Sequence, residues 1–230
     1  MLNLDPDTHH YWDDEDAGAQ FVSVSEVIKR VDLRKTHHGV SRSVLDFAAE
    51  RGKCVERILT AWLEGREPTE EECKVPDWEQ NGKTLAETVE ARLPGCRRFI
   101  DENKPILRNT QLKVADYEAG IAGTLDFVLE VGGVTSITDC KCTYNVEADW
   151  SLQLGAYLRM IGASNIDSWE LNVLHLKPQL SRGYILRPYN PAECLAKWEH
   201  ARTAWMESRA SFARAKDYIT SGSVALTLQG

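Results

Sequence analysis

Hydrophobic and polar positions alternate in two neighbouring stretches near the middle of the chain, residues 124–131 and 134–143. Alternation with a period of two is typical of strands that bury one face, and the pair Gly132-Gly133 between the stretches favours a tight turn. Residues 149–161 then show the period of an amphipathic helix. We therefore predict a β-hairpin followed by a helix, around which the rest of the chain is organised.

The pattern elsewhere predicts helices and strands in nearly equal number. Predicted helices cover residues 25–31 (capped by Ser23 or Ser25), 41–63, 78–103 (broken near Pro94-Gly95) and 191–219, and predicted strands cover residues 106–117, 169–176 and 183–186. Residues 1–20 are acidic, and we predict that they form an irregular arm. We predict a solvated loop at residues 64–80 and a loose tail at residues 220–230. We predict one α/β (α+β) domain spanning residues 1–230, since this length supports a single core.

Composition narrows the classes of function. The chain has 230 residues, a formal net charge of -8 and 43% hydrophobic residues. An acidic protein does not hold nucleic acid by bulk charge, although bound metal ions would offset clustered carboxylates in a phosphodiesterase. The N-terminus has no apolar signal core, and no apolar run approaches the ~20 residues of a membrane span. We expect a soluble, cytoplasmic protein.

The six cysteines contain no C-x-x-C spacing and predict reduced thiols. Cys140 and Cys142 share a strand face, but without a nearby His or Cys partner they favour buried small side chains over a zinc site. His9 and His10 are adjacent and point apart, which disfavours a metal-ligand pair.

Two acids and one base interrupt the apolar pattern of the predicted hairpin. Asp139 and Lys141 are two apart and share a face, and Asp126 lies on the partner strand. Because Lys141 can pair with only one of the aspartates at a time, a divalent cation at this face would satisfy both.

The most basic window of the chain is residues 29–53. One interpretation is a solvated helix face, and the other is a contact with the DNA backbone beside an active site. The candidate DNA-binding residues are Arg34, Lys35, Arg42, Arg51 and Lys53.

Four motifs occur in an order that resembles the PD-(D/E)xK nuclease superfamily, in its RecB-like and phage exonuclease branch. They are Glu56 after Gly52, Gly123-Thr-Leu-Asp126, Asp139-Cys-Lys141 and Gln153-x-x-x-Tyr157. The resemblance covers residues 20–190 and implies a restriction-endonuclease-like core, a central mixed β-sheet flanked by helices, with added N- and C-terminal helices. Only Cys194 lies near the C-terminus, so the iron–sulfur cluster found in some relatives is not expected.

The resemblance implies a Mg²⁺-dependent DNA exonuclease of the phage recombination type, acting in the host cytoplasm if phage-encoded. It assigns Asp126, Asp139, Lys141, Gln153 and Tyr157 to catalysis. Glu56, Asp126, Asp139 and the carbonyl of Cys140 offer the hard oxygen ligands of Mg²⁺, with Mn²⁺ as the alternative metal. Lys141 would orient or deprotonate the attacking water. The implied partners are DNA, a single-strand annealing or other recombination protein, and further copies of the chain.

Taken singly, these motifs have ordinary structural explanations. Asp139 with Lys141 is also the pattern of a strand ion pair, and Gln153 with Tyr157 that of a helix surface. An endonuclease or junction resolvase on the same fold, and a catalytically inactive DNA-binding module, are the competing functions. Intact Asp126, Asp139 and Lys141 argue against the inactive module.

Overall fold

A computed structural model describes residues 2–5, 10–15, 20–31, 40–147, 149–163 and 165–220 of the protein. The strands are β1 Leu2–Asp5, β2 His10–Asp13, β3 Gln20–Ser23, β4 Glu79–Gln80, β5 Lys83–Thr84, β6 Ile106–Asp116, β7 Ile121–Val131, β8 Val134–Lys141, β9 Trp169–Leu176 and β10 Tyr184–Tyr189. The helices are α1 Val24–Arg30, α2 Arg42–Leu63, α3 Glu70–Cys73, α4 Leu85–Glu90, α5 Leu93–Asn103, α6 Trp150–Met160 and α7 Pro191–Thr220, with a 3-10 turn at Ile166–Ser168.

Eight of the strands form one mixed sheet, and β4 pairs with β5 in a separate hairpin. The order along the sheet is β1-β2-β3-β7-β8-β9-β10, with β6 on the other edge of β7. The pairs β3 with β7 and β8 with β9 are parallel, and the other pairs are antiparallel. Helices cover both faces of this sheet, as the predicted fold class requires.

Two apolar clusters fill the layers between sheet and helices. One joins α1, α6 and α7 to the sheet, with Trp150 and Trp198 among its largest buried side chains. The other joins α2, α4 and α5 to the opposite face around Phe99 and Phe127. The central strands are therefore buried on both sides, and β7 and β9 have buried residues at consecutive positions.

The predicted hairpin and the helix after it are confirmed. β7 and β8 pair antiparallel across the turn at Gly132-Gly133, and α6 follows. Ser23 caps α1 by accepting a hydrogen bond from the backbone N–H of Glu26, and α2 begins directly after Ser41. The helical part of the fold follows the periodicity closely.

Three predictions about the connecting regions were wrong. The irregular arm contains β1 and β2, because Tyr11 and the residues around it pair with β3 and extend the sheet. The region 78–103 begins as the β4–β5 hairpin before α4 and α5, and Pro94 lies in the first turn of α5. The acidic loop contains α3, because Thr69 and Glu72 form a capping box. The tail beyond Thr220 lies outside the described residues.

Within the described residues, none of the helices is long and apolar enough to cross a membrane.

Candidate active site

The candidate site lies where one edge of β7 changes partner. Residues 121 and 122 of β7 pair with β3, and residues 127–131 of the same edge pair with β8. The β7–β8 ladder ends at the pair Phe127 and Thr138, so Asp126 and Asp139 lie one step beyond it. The strands separate there, and both carboxylates are brought to the resulting gap.

Asp126 is held in place by a hydrogen bond from β8, the strand that separates from β7 at this point. Its Oδ2 accepts a hydrogen bond of 2.9 Å from the backbone N–H of Cys140. The Asp126 carboxylate thus takes the place of the backbone carbonyl that would continue the β7–β8 ladder. The backbone N–H of Cys140 therefore keeps a hydrogen-bond acceptor. This contact holds Asp126 beside the Asp139-Cys140-Lys141 motif.

Lys141 is bound to two of the predicted catalytic residues. Its Nζ lies 2.7 Å from Asp139 Oδ2 and donates to Gln153 Oε1 at 3.0 Å. Gln153 Nε2 in turn donates to the hydroxyl of Tyr157 at 2.9 Å. The two residues are one helical turn apart on α6, so the helix presents them to β8 as a pair.

Gly123 explains the first residue of the Gly-x-x-Asp motif. A Cβ at this position would lie 2.8 Å from Cε1 of Tyr157 and 3.1 Å from Cγ2 of Val24. The absent side chain therefore lets the Tyr157 ring pack directly against β7, which places its hydroxyl within reach of Gln153.

Glu56 reaches the gap from α2, on the other side of the sheet. Its Oε1 accepts a hydrogen bond from Gln111 Nε2. Gln111 lies on β6 with a φ of 50°, a left-handed conformation that is uncommon for a residue other than glycine. Gln111 was not among the predicted site residues, because nothing in a single sequence signals a positive φ at glutamine.

Burial shifts the ionisation of the whole cluster. It raises the pKa of Glu56 to about 7, with Asp139 adding repulsion. It also raises the pKa of Asp126, which Glu56 and Asp139 raise further. Burial is likewise the main cause of the raised pKa of Asp139, against the opposing effect of Lys141. Burial alone would lower the pKa of Lys141, but Asp139 and Asp126 raise it above its ordinary value.

These carboxylates fit a divalent cation by charge and by ligand type. Both oxygens of Asp139 are buried and, within the described chain, accept no well-formed hydrogen bond. Glu56 and Asp126 lie close enough to repel each other and Asp139. Among the described residues, however, no three His, Cys, Asp or Glu side chains are already arranged as a metal-binding group. The ligand set of Glu56, Asp126, Asp139 and the Cys140 carbonyl stays a prediction.

An open cleft of about 760 Å³ gives access to this cluster. Its lining comprises Leu4, Tyr11, Phe21, Val22, Ser23, Val24, Ser25, Glu26, Lys29, Lys53, Glu56, Gln111, Gly123, Thr124, Asp126, Gln153 and Tyr157. One wall comes from β1–β3, where Tyr11 exchanges a hydrogen bond of 3.0 Å with Thr124. The segment predicted as an irregular arm is therefore part of the candidate site.

The fold is similar to that of a candidate exonuclease. That crystal structure, from Eubacterium rectale, superposes with a TM-score of 0.54 at 12% identity, over 94% of this chain and 88% of that one. An alkaline exonuclease from Laribacter hongkongensis gives a TM-score of 0.45 at 15% identity, over 87% and 94%. Its complex with dAMP gives a TM-score of 0.38. The sequence matches no family profile, and no curated protein is similar to it in sequence.

The predicted DNA-binding window is divided among different surfaces. Lys53 lines the cleft and is exposed, with Glu50 at 3.5 Å. Arg42 is exposed near the start of α2 and pairs with Asp46 at 2.9 Å. Arg51 lines a different opening, described below. Arg34 and Lys35 lie outside the described residues.

The cysteines do not take part in the cleft. Cys142 is buried in the cluster beneath α2, and Cys140 is partly buried against it. Cys140 lies on the face of β8 opposite Asp139 and Lys141, as period-two alternation requires, and Cys142 follows directly after the strand.

Proposed function

We propose that this protein is a metal-dependent DNA exonuclease that hydrolyses phosphodiester bonds, of the phage recombination type. The observation that carries the proposal is the convergence of Asp126, Asp139, Glu56 and Lys141 in the gap between β7 and β8. The fold likeness to a candidate exonuclease supports it.

The carboxylates would hold the metal. Glu56, Asp126, Asp139 and the carbonyl of Cys140 supply oxygen ligands from α2, β7 and β8, and the cleft leaves room for water and phosphate. A divalent cation bound there activates water and offsets charge that develops on the phosphate.

Lys141, Gln153 and Tyr157 would control the water and the phosphate. Both ends of the Gln153 amide are engaged, Oε1 by Lys141 and Nε2 by Tyr157, so the amide has one orientation. It holds the ammonium beside Asp139, where it can orient the attacking water or donate to a phosphate oxygen. Attack forms a new P–O bond, and the departing oxygen takes up a proton as the old bond breaks.

The proposal is tested with purified protein on linear and on closed circular DNA, first with Mg²⁺ and then with EDTA. We expect degradation of linear DNA only, and its loss on chelation. Asp126→Ala and Asp139→Ala should each abolish cleavage while far-UV circular dichroism stays that of the wild type.

Asp46→Ala serves as the control, because this carboxylate on α2 is half-exposed and pairs only with Arg42 among the described residues. It should cleave at the wild-type rate. Near wild-type cleavage by Asp126→Ala would show that the site is misplaced. Cleavage of closed circles would favour an endonuclease, and an inert wild type the DNA-binding module.

A further inference from the structure

Two partly buried arginines lie side by side beneath the loop that follows β8. Arg51 Nη2 and Arg92 Nη2 both donate to the carbonyl oxygen of Cys142, at 2.9 and 3.2 Å. Arg92 Nη1 also donates to the carbonyl of Thr88 at 2.6 Å. Two cations thus converge on one neutral acceptor.

Neither guanidinium is paired with a carboxylate of the described chain, and the nearest group that favours their charge is the Cys142 thiol. No carboxylate forms an ion pair with either side chain there, whereas Arg66, Arg97, Arg108, Arg182 and Arg202 all have such partners. Nε of Arg51 and Nε of Arg92 are both buried without a hydrogen-bond partner. Burial lowers the pKa of both arginines, and Arg92 lowers that of Arg51 further, while the neighbouring Cys142 thiol opposes the shift in each. Like charges held together in this way are unfavourable unless an anion joins them.

A second opening leads to Arg51. It has a volume of about 660 Å³ and lies between α2, the β4–β5 hairpin and residues 143–147. We call it the β8-end groove. Besides Arg51 it offers the cation Lys83, the polar side chains of Gln80, Asn81, Thr88, Thr143 and Asn145, and one carboxylate, Glu147.

The groove also contains an aromatic ring suited to a nucleotide base. Tyr144 is 75% exposed, and its backbone carbonyl accepts a hydrogen bond from Lys177 Nζ at 2.5 Å, while the same ammonium lies 4.9 Å from the ring centroid. An exposed aromatic ring beside cations is the usual platform for single-stranded nucleic acid. A free phosphate ion would make no use of it.

We propose that the β8-end groove binds a phosphodiester group of the substrate strand, with Arg51 as the direct contact and Arg92 as the cation behind it. This inference rests on the proposed function, since it assigns the strand that the candidate active site would cleave. Arg51 and Glu56 are five residues apart on α2, about 7.5 Å along the helix axis and about 140° around it. A strand that occupied both the groove and the cleft would therefore curve around α2.

The test is binding without catalysis. A fluorescent single-stranded oligonucleotide is titrated with protein in EDTA, and anisotropy is followed at several salt concentrations. Arg51→Gln should weaken binding by about tenfold, the value of one lost charge-assisted hydrogen bond, and should reduce the log-log salt slope by about 0.7. Arg97→Gln is the matched control, because this exposed arginine on α5 pairs with Glu67 and lies away from the groove.

Two further variants test the groove independently, so that the proposal stays testable if Arg51→Gln does not fold. Lys83→Gln and Tyr144→Ala change exposed side chains of the groove and should each weaken binding about threefold to tenfold with an unchanged melting temperature. Wild-type affinity in all three groove variants would overturn the proposal.

A titration with inorganic phosphate alone distinguishes binding of a free phosphate ion from binding of a nucleic-acid strand. If millimolar phosphate raises the melting temperature of the wild type but not of Arg51→Gln, and oligonucleotide affinity is unchanged in the variant, the site takes free phosphate and the strand assignment is wrong. A wild type that binds through the groove but never cleaves DNA with Mg²⁺ would defeat the proposed function and leave this inference standing.

Discussion

At the scale of single residues, Lys141 connects the two halves of the candidate site. It contacts Asp139 on its own strand and Gln153 on α6, and its side chain is only 22% exposed. Such a lysine is either a strand ion pair that stabilises the fold or a group that acts on the reacting water. The two roles predict different measurements.

Lys141→Ala should reduce kcat about 10²–10⁴-fold at saturating DNA and Mg²⁺, the usual contribution of a positioned proton-transfer group, with DNA affinity nearly unchanged. Lys141→Arg should not restore turnover, because the planar guanidinium is larger than the ammonium and its donors reach different positions. A lower melting temperature with preserved turnover, and full rescue by arginine, would instead make Lys141 a structural ion pair.

Glu56 gives the metal-free protein a pH-dependent stability. Its pKa is about 7 in the folded protein, above the ordinary 4.5, because burial and Asp139 oppose its charge. The folded state therefore holds a proton that the unfolded state has lost between pH 4.5 and 7, and the free energy of unfolding falls as pH rises through this interval.

Glu56→Gln should remove the part of this dependence that Glu56 contributes, since the amide can still accept the hydrogen bond from Gln111, while the raised pKa values of Asp126 and Asp139 keep a dependence of the same sign. In EDTA the variant should melt several degrees above the wild type at pH 8, an effect on the order of 1–3 kcal/mol, and at the same temperature near pH 4. Scanning calorimetry across this range checks it, and parallel curves for the two proteins would contradict it.

At the scale of elements, α6 can present Gln153 and Tyr157 only because α7 packs closely behind it. A Cβ at Gly155 would lie 2.2 Å from the carbonyl oxygen of Cys194 and 3.1 Å from Cβ of Trp198. Backbone atoms form the nearest contact, so rotation of a side chain cannot relieve the overlap.

Gly155→Ala should therefore push α6 away from α7 and cost about 1–3 kcal/mol, the usual effect of overpacking a core, despite the higher helix propensity of alanine. Chemical denaturation measures the loss. Gly52→Ala is the control, because a Cβ there meets no atom within 4 Å and should leave stability equal or higher.

Sequence periodicity predicted the helices and the hairpin well because each is determined by neighbouring residues. The motif order also named Asp126, Asp139, Lys141, Gln153 and Tyr157 as candidates; the structure brings them to one gap, and their roles stay predictions. The strands β1 and β2 could not be predicted, since their pairing depends on β3 and β7 rather than on their own acidic sequence. Gln111 was missed for a similar reason, because its role follows from a backbone conformation.

At the scale of the whole molecule, a net charge of -8 must be reconciled with an anionic substrate. Lys29 and Lys53 both line the cleft, together with the acids Glu26, Glu56 and Asp126 that bound cations would offset. Local charge at the cleft, rather than the sum over the chain, governs the encounter with DNA.

Lys53→Gln should raise the KM for DNA and reduce the log-log salt slope by about one unit, as expected for one lost phosphate contact. Lys74→Gln, which removes an exposed lysine paired with Glu71, should change neither quantity. Cleavage rates at several salt concentrations provide the measurement, and an unchanged slope in Lys53→Gln would return this residue to an ordinary solvated helix face.

The pairing of β3 with β7 also constrains how the chain folds. Val22 pairs with Ile121, so the cleft wall forms only when two segments roughly a hundred residues apart in the sequence come together. Contacts of such separation form slowly, because closing a long loop costs chain entropy. On the ribosome, the first three strands emerge long before β7 exists to receive them. The cleft is thus completed late in synthesis, after most of the helical layer around α2 has been made.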